Sequence, residues 1–311
     1  MVFSLFIRPL ALVLSLVLLL PSSLVDGSAG SNSNPILTYH AGPLLTGNIN
    51  LAIIWYGNVG RSQKLAIRNF IKSLNLNSID ADVQPQVSTW WKVVESYQGA
   101  VPGSGGSSPP IRVRAYKQMS DTSYQYGKIL TVDYLPQLVE QVTKGDPNLL
   151  PVILTARDIT VQGLCMGKCG LHALIDGKKP CIVVGNPETE CPGACAWPFH
   201  KSDMGPQGVV LQPPNGNIGA DAMVVAFASA LAEVVTNPFN SGFYQGRETD
   251  PVGAAMACRG IFGSGAFPGN AGKVRIDPKT GGAFNAHGNK NKKFLLPAIW
   301  DPRTSTCWTL M

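Results

Sequence analysis

The sequence predicts a mixed α/β fold: a single sheet with helices packed on it, and a loop-rich C-terminal half bound by disulfides. Three observations carry this. Residues 36–160 alternate strand-like and helix-like patterns. All seven cysteines lie at 165, 169, 181, 191, 195, 258 and 307, among many Gly and Pro residues. Residues 220–236 repeat apolar side chains at helical spacing (Val224, Phe227, Ala228, Leu231, Val234, Val235) and stop at Asn237-Pro238.

The first segment reads as a signal peptide over 1–29. Arg8 is its positive flank, "LALVLSLVLLL" (10–20) is too short to span a bilayer, and small residues place cleavage near 26–30. Residues 30–311 read as one domain, secreted to the extracellular space and with no membrane insertion of the mature chain. The 25 Lys+Arg against 19 Asp+Glu give the full chain +6. So small and scattered an excess argues against a nucleic-acid partner.

In chain order, 36–40 and 48–56 read as two strands joined by a Gly-Pro turn, a hairpin leading into a buried strand. Residues 61–75 place Leu65, Ile67, Phe70, Ile71 and Leu74 on a dry helix side, with Lys64, Arg68 and Lys72 on the wet one. A second helix opens at Ser88 or Thr89 and carries Trp90 and Trp91. After a Gly/Ser/Pro loop (99–110) come the alternating strand "IRVRAY", a helix ending at Gly145, and a buried strand from 151. Between 165 and 216 one strand is clear, "CIVVG", and beyond the long helix the chain reads mostly as loop.

Catalytic signatures are missing. No G-x-S-x-G elbow, phosphate loop or dinucleotide fingerprint occurs, and the acids Asp133, Asp158, Glu188, Asp221 and Glu233 are not paired by any spacing. An oxidising compartment favours disulfides over a four-thiolate zinc site. Cys165, Cys169, Cys191, Cys195, Cys258 and Cys307 are the candidates for bridges, and Cys181, in an apolar run, for a free buried thiol. Trp197, Phe199, Phe243, Tyr244 and Trp300, with Phe239 and Phe267, sit on Gly/Pro loops; they are candidate ligand-binding residues that could stack on sugars, or else a satellite core.

Several motifs, "CPGACAWPF", "PPNGNIGADAMV", "TNPF", "SGFYQG", "GAFPGNAG" and "GNKNKKFLLPAIWDP", resemble the EXORDIUM / phosphate-induced protein family of plants. The resemblance implies an apoplastic protein of growth and cell expansion, tied to brassinosteroid or carbon status, and supplies no catalytic residue. Cys181 departs from that pattern as an extra thiol, and Glu233 as a carboxylate in place of a small residue.

A second likeness is to zinc proteases that hold two ligands four residues apart on a helix. On that template Ser229 and Glu233 take the ligand positions and Ala230 the base position. Ser229 is a poor zinc ligand and Ala230 accepts no proton, so the expectation is a degenerate zincin-like scaffold with no metal and no cofactor. The reading is a non-enzymatic protein whose partner is a cell-wall polysaccharide or a cell-surface receptor. The alternatives are a wall-acting hydrolase, with Glu233 and His172 as catalytic candidates, and a structural matrix protein.

Overall fold

The computed structural model describes residues 36–76, 83–203 and 205–311. The expected signal peptide lies outside these residues. Chain order begins β1 (Thr38–Tyr39), β2 (Asn48–Tyr56), α1 (Arg61–Leu74), α2 (Val87–Glu95) and α3 (Tyr97–Ala100). Next come β3 (Arg112–Asp121), β4 (Ile129–Leu130), α4 (Leu135–Thr143), β5 (Leu149–Thr155) and β6 (Thr160–Val161). The cysteine-bearing half adds β7 (Gly170–Ile175), β8 (Lys179–Val184), α5 (Pro192–Cys195), α6 (Ile218–Thr236), β9 (Phe243–Arg247) and β10 (Asp250–Val252).

The central sheet has the order β3-β2-β5-β8-β7, with the first four strands parallel and β7 antiparallel to β8. Parallel strands are covered on both faces, which is why β5, "LLPVILT", is buried at every residue. The chain crosses outward from β2 to β3 through α1 and back to β5 through α4. Right-handed crossovers in opposite directions place those helices on opposite faces. On the first face α1 packs against α6, and α6 against β7 and β8.

α6 is apolar all round, and nearly every residue from Gly219 to Thr236 is buried. It is long and apolar enough to cross a membrane, yet 78% of its apolar window is buried inside the protein, the signature of a core helix. Asn217 caps its start by accepting from Ala220 N–H at 2.8 Å. Phe227 of α6 meets Phe70 of α1 edge-on at 6.0 Å, and Phe70 in turn meets Trp90 and Phe294. Each such buried ring contributes about 1.5–3 kcal/mol of apolar burial.

Three expectations are corrected. The protein has several sheets, not one: β1-β9-β10 forms a second, and β4-β6 and short pairs near the C-terminus form others. Residues 36–40 do not form a hairpin with β2, because β3 and β5 occupy both edges of that strand; β1 pairs with β9 instead. α2 starts after Gln86, so Ser88 lies inside its first turn and donates to the Gln86 side chain at 3.2 Å rather than capping the helix. Trp90 and Trp91 are both buried, with their indole N–H groups donating to the Pro297 and Ile111 carbonyls.

β7 is a strand that the residue pattern alone does not announce. Its signal is Asp176-Gly177, a dipeptide favoured in tight hairpins; both residues adopt left-handed φ, 50° and 67°. Lys178 N–H closes the turn on the Ile175 carbonyl at 2.9 Å.

Candidate functional site

Disulfides fix the walls of two concavities on this surface. Cys165 pairs with Cys191, Cys169 with Cys195, and Cys258 with Cys307. The four thiols with zinc-like spacing are thus joined in two bridges that tie the 165–169 loop to α5. Cys181 is the free thiol, fully buried on β8, and burial pushes it up to about 12.

A cleft of about 310 Å³ opens between β7, the C-terminal part of α6 and the 249–256 segment. Gly170, His172, Glu233, Asn237 and Lys168 line it from one side, and Asp250, Pro251, Val252, Gly253 and Met256 from the other. Side chains alternate along a strand, so Gly170 and His172 share the face of β7 turned to α6; a Cβ on Gly170 would lie 3.1 Å from the Ala226 carbonyl oxygen. The strand approaches α6 closely because that residue is glycine.

Glu233 is half-buried at the base of this cleft. Its Oε1 accepts from Met256 N–H at 3.0 Å. Loss of hydration raises the carboxyl to about 7, while that hydrogen bond and the charge of Lys168 pull the other way. His172 is half-buried, with Nε2 placed 2.8 Å from the Pro238 carbonyl oxygen, so Nε2 carries the proton and Nδ1 is the acceptor. Burial, and secondarily Lys168, hold its basicity below the ordinary histidine range. At the mouth Lys168 Nζ pairs with Asp250 at 2.8 Å. The cleft therefore presents a carboxyl poised near neutrality and a neutral imidazole, a combination suited to hydrogen bonding and proton exchange.

The structure places Glu233 and His172 in the lining of one cleft and leaves Ser229 outside it. The Ser229 hydroxyl donates to the Val225 carbonyl of its own helix at 3.0 Å, and it does not line the cleft. Among the described residues no three His, Cys, Asp or Glu side chains gather as a metal site. Lys168 and Asp250, which no motif singled out, come from segments 82 residues apart.

The second concavity, of about 430 Å³, holds part of the aromatic set. Trp197 and Phe267 line it with Ser202, Asp203, Pro206, Arg259 and Pro268. Phe267 is 63% exposed. Trp197 is half-buried and leans on Phe262, with ring centroids 5.8 Å apart. Two loops meet at a glycine pair here; a Cβ on Gly208 would sit 1.5 Å from the Gly269 carbonyl oxygen, so only glycine fits. Phe199, Phe243, Tyr244 and Trp300, expected as ligand-binding residues, are between 2% and 6% exposed. Their rings fill the space under the long loops and offer no face to a ligand. The Tyr97 hydroxyl donates to the Trp300 carbonyl, and its ring meets Phe243 edge-on at 5.0 Å.

The family model for the phosphate-induced protein 1 conserved region matches residues 37–310, both concavities included. The chain belongs to that family. Protein EXORDIUM of Arabidopsis thaliana is 44% identical over 311 residues, covering 97% of this chain and 98% of that relative. EXORDIUM-like 2 of the same plant is also 44% identical, across 89% of this chain and 90% of the relative. PHOSPHATE-INDUCED 1 of Nicotiana tabacum is 42% identical across 89% of each. No solved structure matches the chain. The phosphate-induced family match spans residues 37–310, so the cleft and the aromatic pocket both belong to its shared domain.

Proposed function

We propose that the protein is secreted to the apoplast, serves plant growth and cell expansion linked to brassinosteroid or carbon status, and acts by binding a cell-wall polysaccharide. One observation carries the binding mode: Phe267 stands exposed in a pocket that Trp197 also lines and whose walls run directly into two disulfides. Cys195 anchors the Gly193–Trp197 wall, and Cys258 the Arg259–Ile261 wall. Apolar ring faces beside a few polar groups suit a sugar, and walls fixed in advance lower the ordering cost of binding. A cell-surface receptor is the other partner class that such a pocket could serve.

The test is retention on immobilised wall polysaccharides. Wild type is retained, and Phe267→Ala weakens retention roughly two- to tenfold, the range for one aromatic contact. Equal retention of both proteins would remove the pocket from the proposal.

A second reading, a wall-acting hydrolase, rests on Glu233 and His172 lining the other cleft. It treats α6 as the helix of a zincin-like scaffold whose metal positions have decayed. Release of soluble sugar or peptide from wall material, lost in Glu233→Gln, would replace the binding reading with this one.

A further inference from the structure

The Glu233 cleft is bordered by two strands with backbone to spare. Among the described residues, β7 is the last strand of the central sheet and pairs only with β8, and β10 is the last strand of its sheet and pairs only with β9. Residues of both line the cleft, Gly170 and His172 on one side and 250–252 on the other. Among the described residues, the β7 backbone makes no main-chain hydrogen bond beyond its ladder with β8 and the turn at Lys178.

Proteins blunt an open edge with charge, proline, a bulge or shortness. β10 is blunted, being three residues long with Pro251 in the middle. β7, "GLHALI", is six residues long, holds no charged residue and no proline, and keeps an unbroken register with β8. An unblunted edge on a strand whose first and third residues line a cleft is suited to β-augmentation, in which an extended segment adds as a further strand. A glycan has no row of alternating N–H and C=O groups to match it.

We propose that this cleft binds an extended peptide segment, paired as an added strand along the free edge of β7 with Glu233 and His172 beneath it. The main chain of the segment supplies the ladder, and Glu233, held by Met256 N–H, presents its second oxygen to a hydrogen-bonding side chain of the segment. The loop bearing Lys168 and the segment bearing Met256 are anchored by bridges at Cys165, Cys169 and Cys258, so both walls are in place before binding. The glycan reading concerns the other pocket, and the two stand or fall separately.

The experiment pans a random linear heptapeptide phage library on the secreted protein and resynthesises the enriched sequence. Bound peptide is expected to slow amide exchange across 170–175 at least tenfold. Methylating alternate peptide nitrogens, which removes donors without altering side chains, is expected to weaken binding at least tenfold. Gly253→Leu is expected to do the same, since a Cβ there already comes within 3.1 Å of Glu233 Cγ. Failure to enrich any peptide overturns the proposal. So does a peptide that protects no β7 amide or tolerates every methylation, and so does a wall oligosaccharide that protects 170–175 in its place.

Discussion

Replacing Glu233 with Gln keeps the shape of the side chain and removes its charge, so it isolates what the carboxylate at the base of the cleft costs. Folded Glu233 titrates near 7 and an ordinary glutamate near 4.5. Below pH 4.5 the carboxyl is neutral in both folded and unfolded chains, and Glu and Gln are nearly equivalent. Between the two values the folded chain keeps a proton that the unfolded chain has released, so stability falls as pH rises through 7. At 1.36 kcal/mol per pH unit the full difference is about 3 kcal/mol, and water entering the cleft brings the expectation to about 2–3 kcal/mol. Glu233→Gln escapes this loss. Its advantage over wild type should grow from near zero at pH 4.5 to about 2–3 kcal/mol at pH 8. Urea unfolding followed by tryptophan fluorescence, at intervals across that range, reads it directly. Asp221, raised to about 6 by burial, titrates in both proteins and cancels in the comparison. A difference that stays flat with pH, or wild type gaining on the variant as pH rises, would show that Glu233 is charged and compensated in the folded protein.

The cysteines give two more expected outcomes. Replacing Cys258 and Cys307 with serine opens a loop of 49 residues and should destabilise the protein by about 4 kcal/mol in urea unfolding under non-reducing conditions. Cys181, buried with its thiol pushed up to about 12, should resist alkylation in the native protein and react as a single thiol once the non-reduced chain is unfolded, which mass spectrometry counts.

The elements legible in the sequence are those with their own periodicity. α1 and α6 can be read because their apolar residues recur every three to four positions, and β2 and β5 because parallel strands covered on both faces are continuous apolar runs. β1 can be read as a strand but its partner cannot, since β9 lies about two hundred residues away and nothing local encodes the pairing. β7 has no apolar run of its own, and only the Asp176-Gly177 turn gives it away. The aromatic residues mislead for a related reason. A ring on a Gly/Pro loop is exposed only if the loop has nothing to cover; Tyr244 and Trp300 cover the core, whereas Phe267 stands clear of it.

The cleft shows why Glu233 is better explained by function than by packing. A core helix gains nothing from a carboxyl at a position where neutral pH makes it a liability of about 2–3 kcal/mol, and an apolar side chain would remove that cost. The surroundings do little to compensate: one main-chain N–H holds one oxygen, and Lys168, whose charge acts on it, is paired with Asp250. Toward pH 4.5, however, the group is neutral in folded and unfolded chains alike, the cost disappears, and the same carboxyl both donates and accepts hydrogen bonds. A medium near pH 4.5 lets this helix carry a carboxyl into a cleft between two strand edges without loss of stability, and there the carboxyl can meet a ligand.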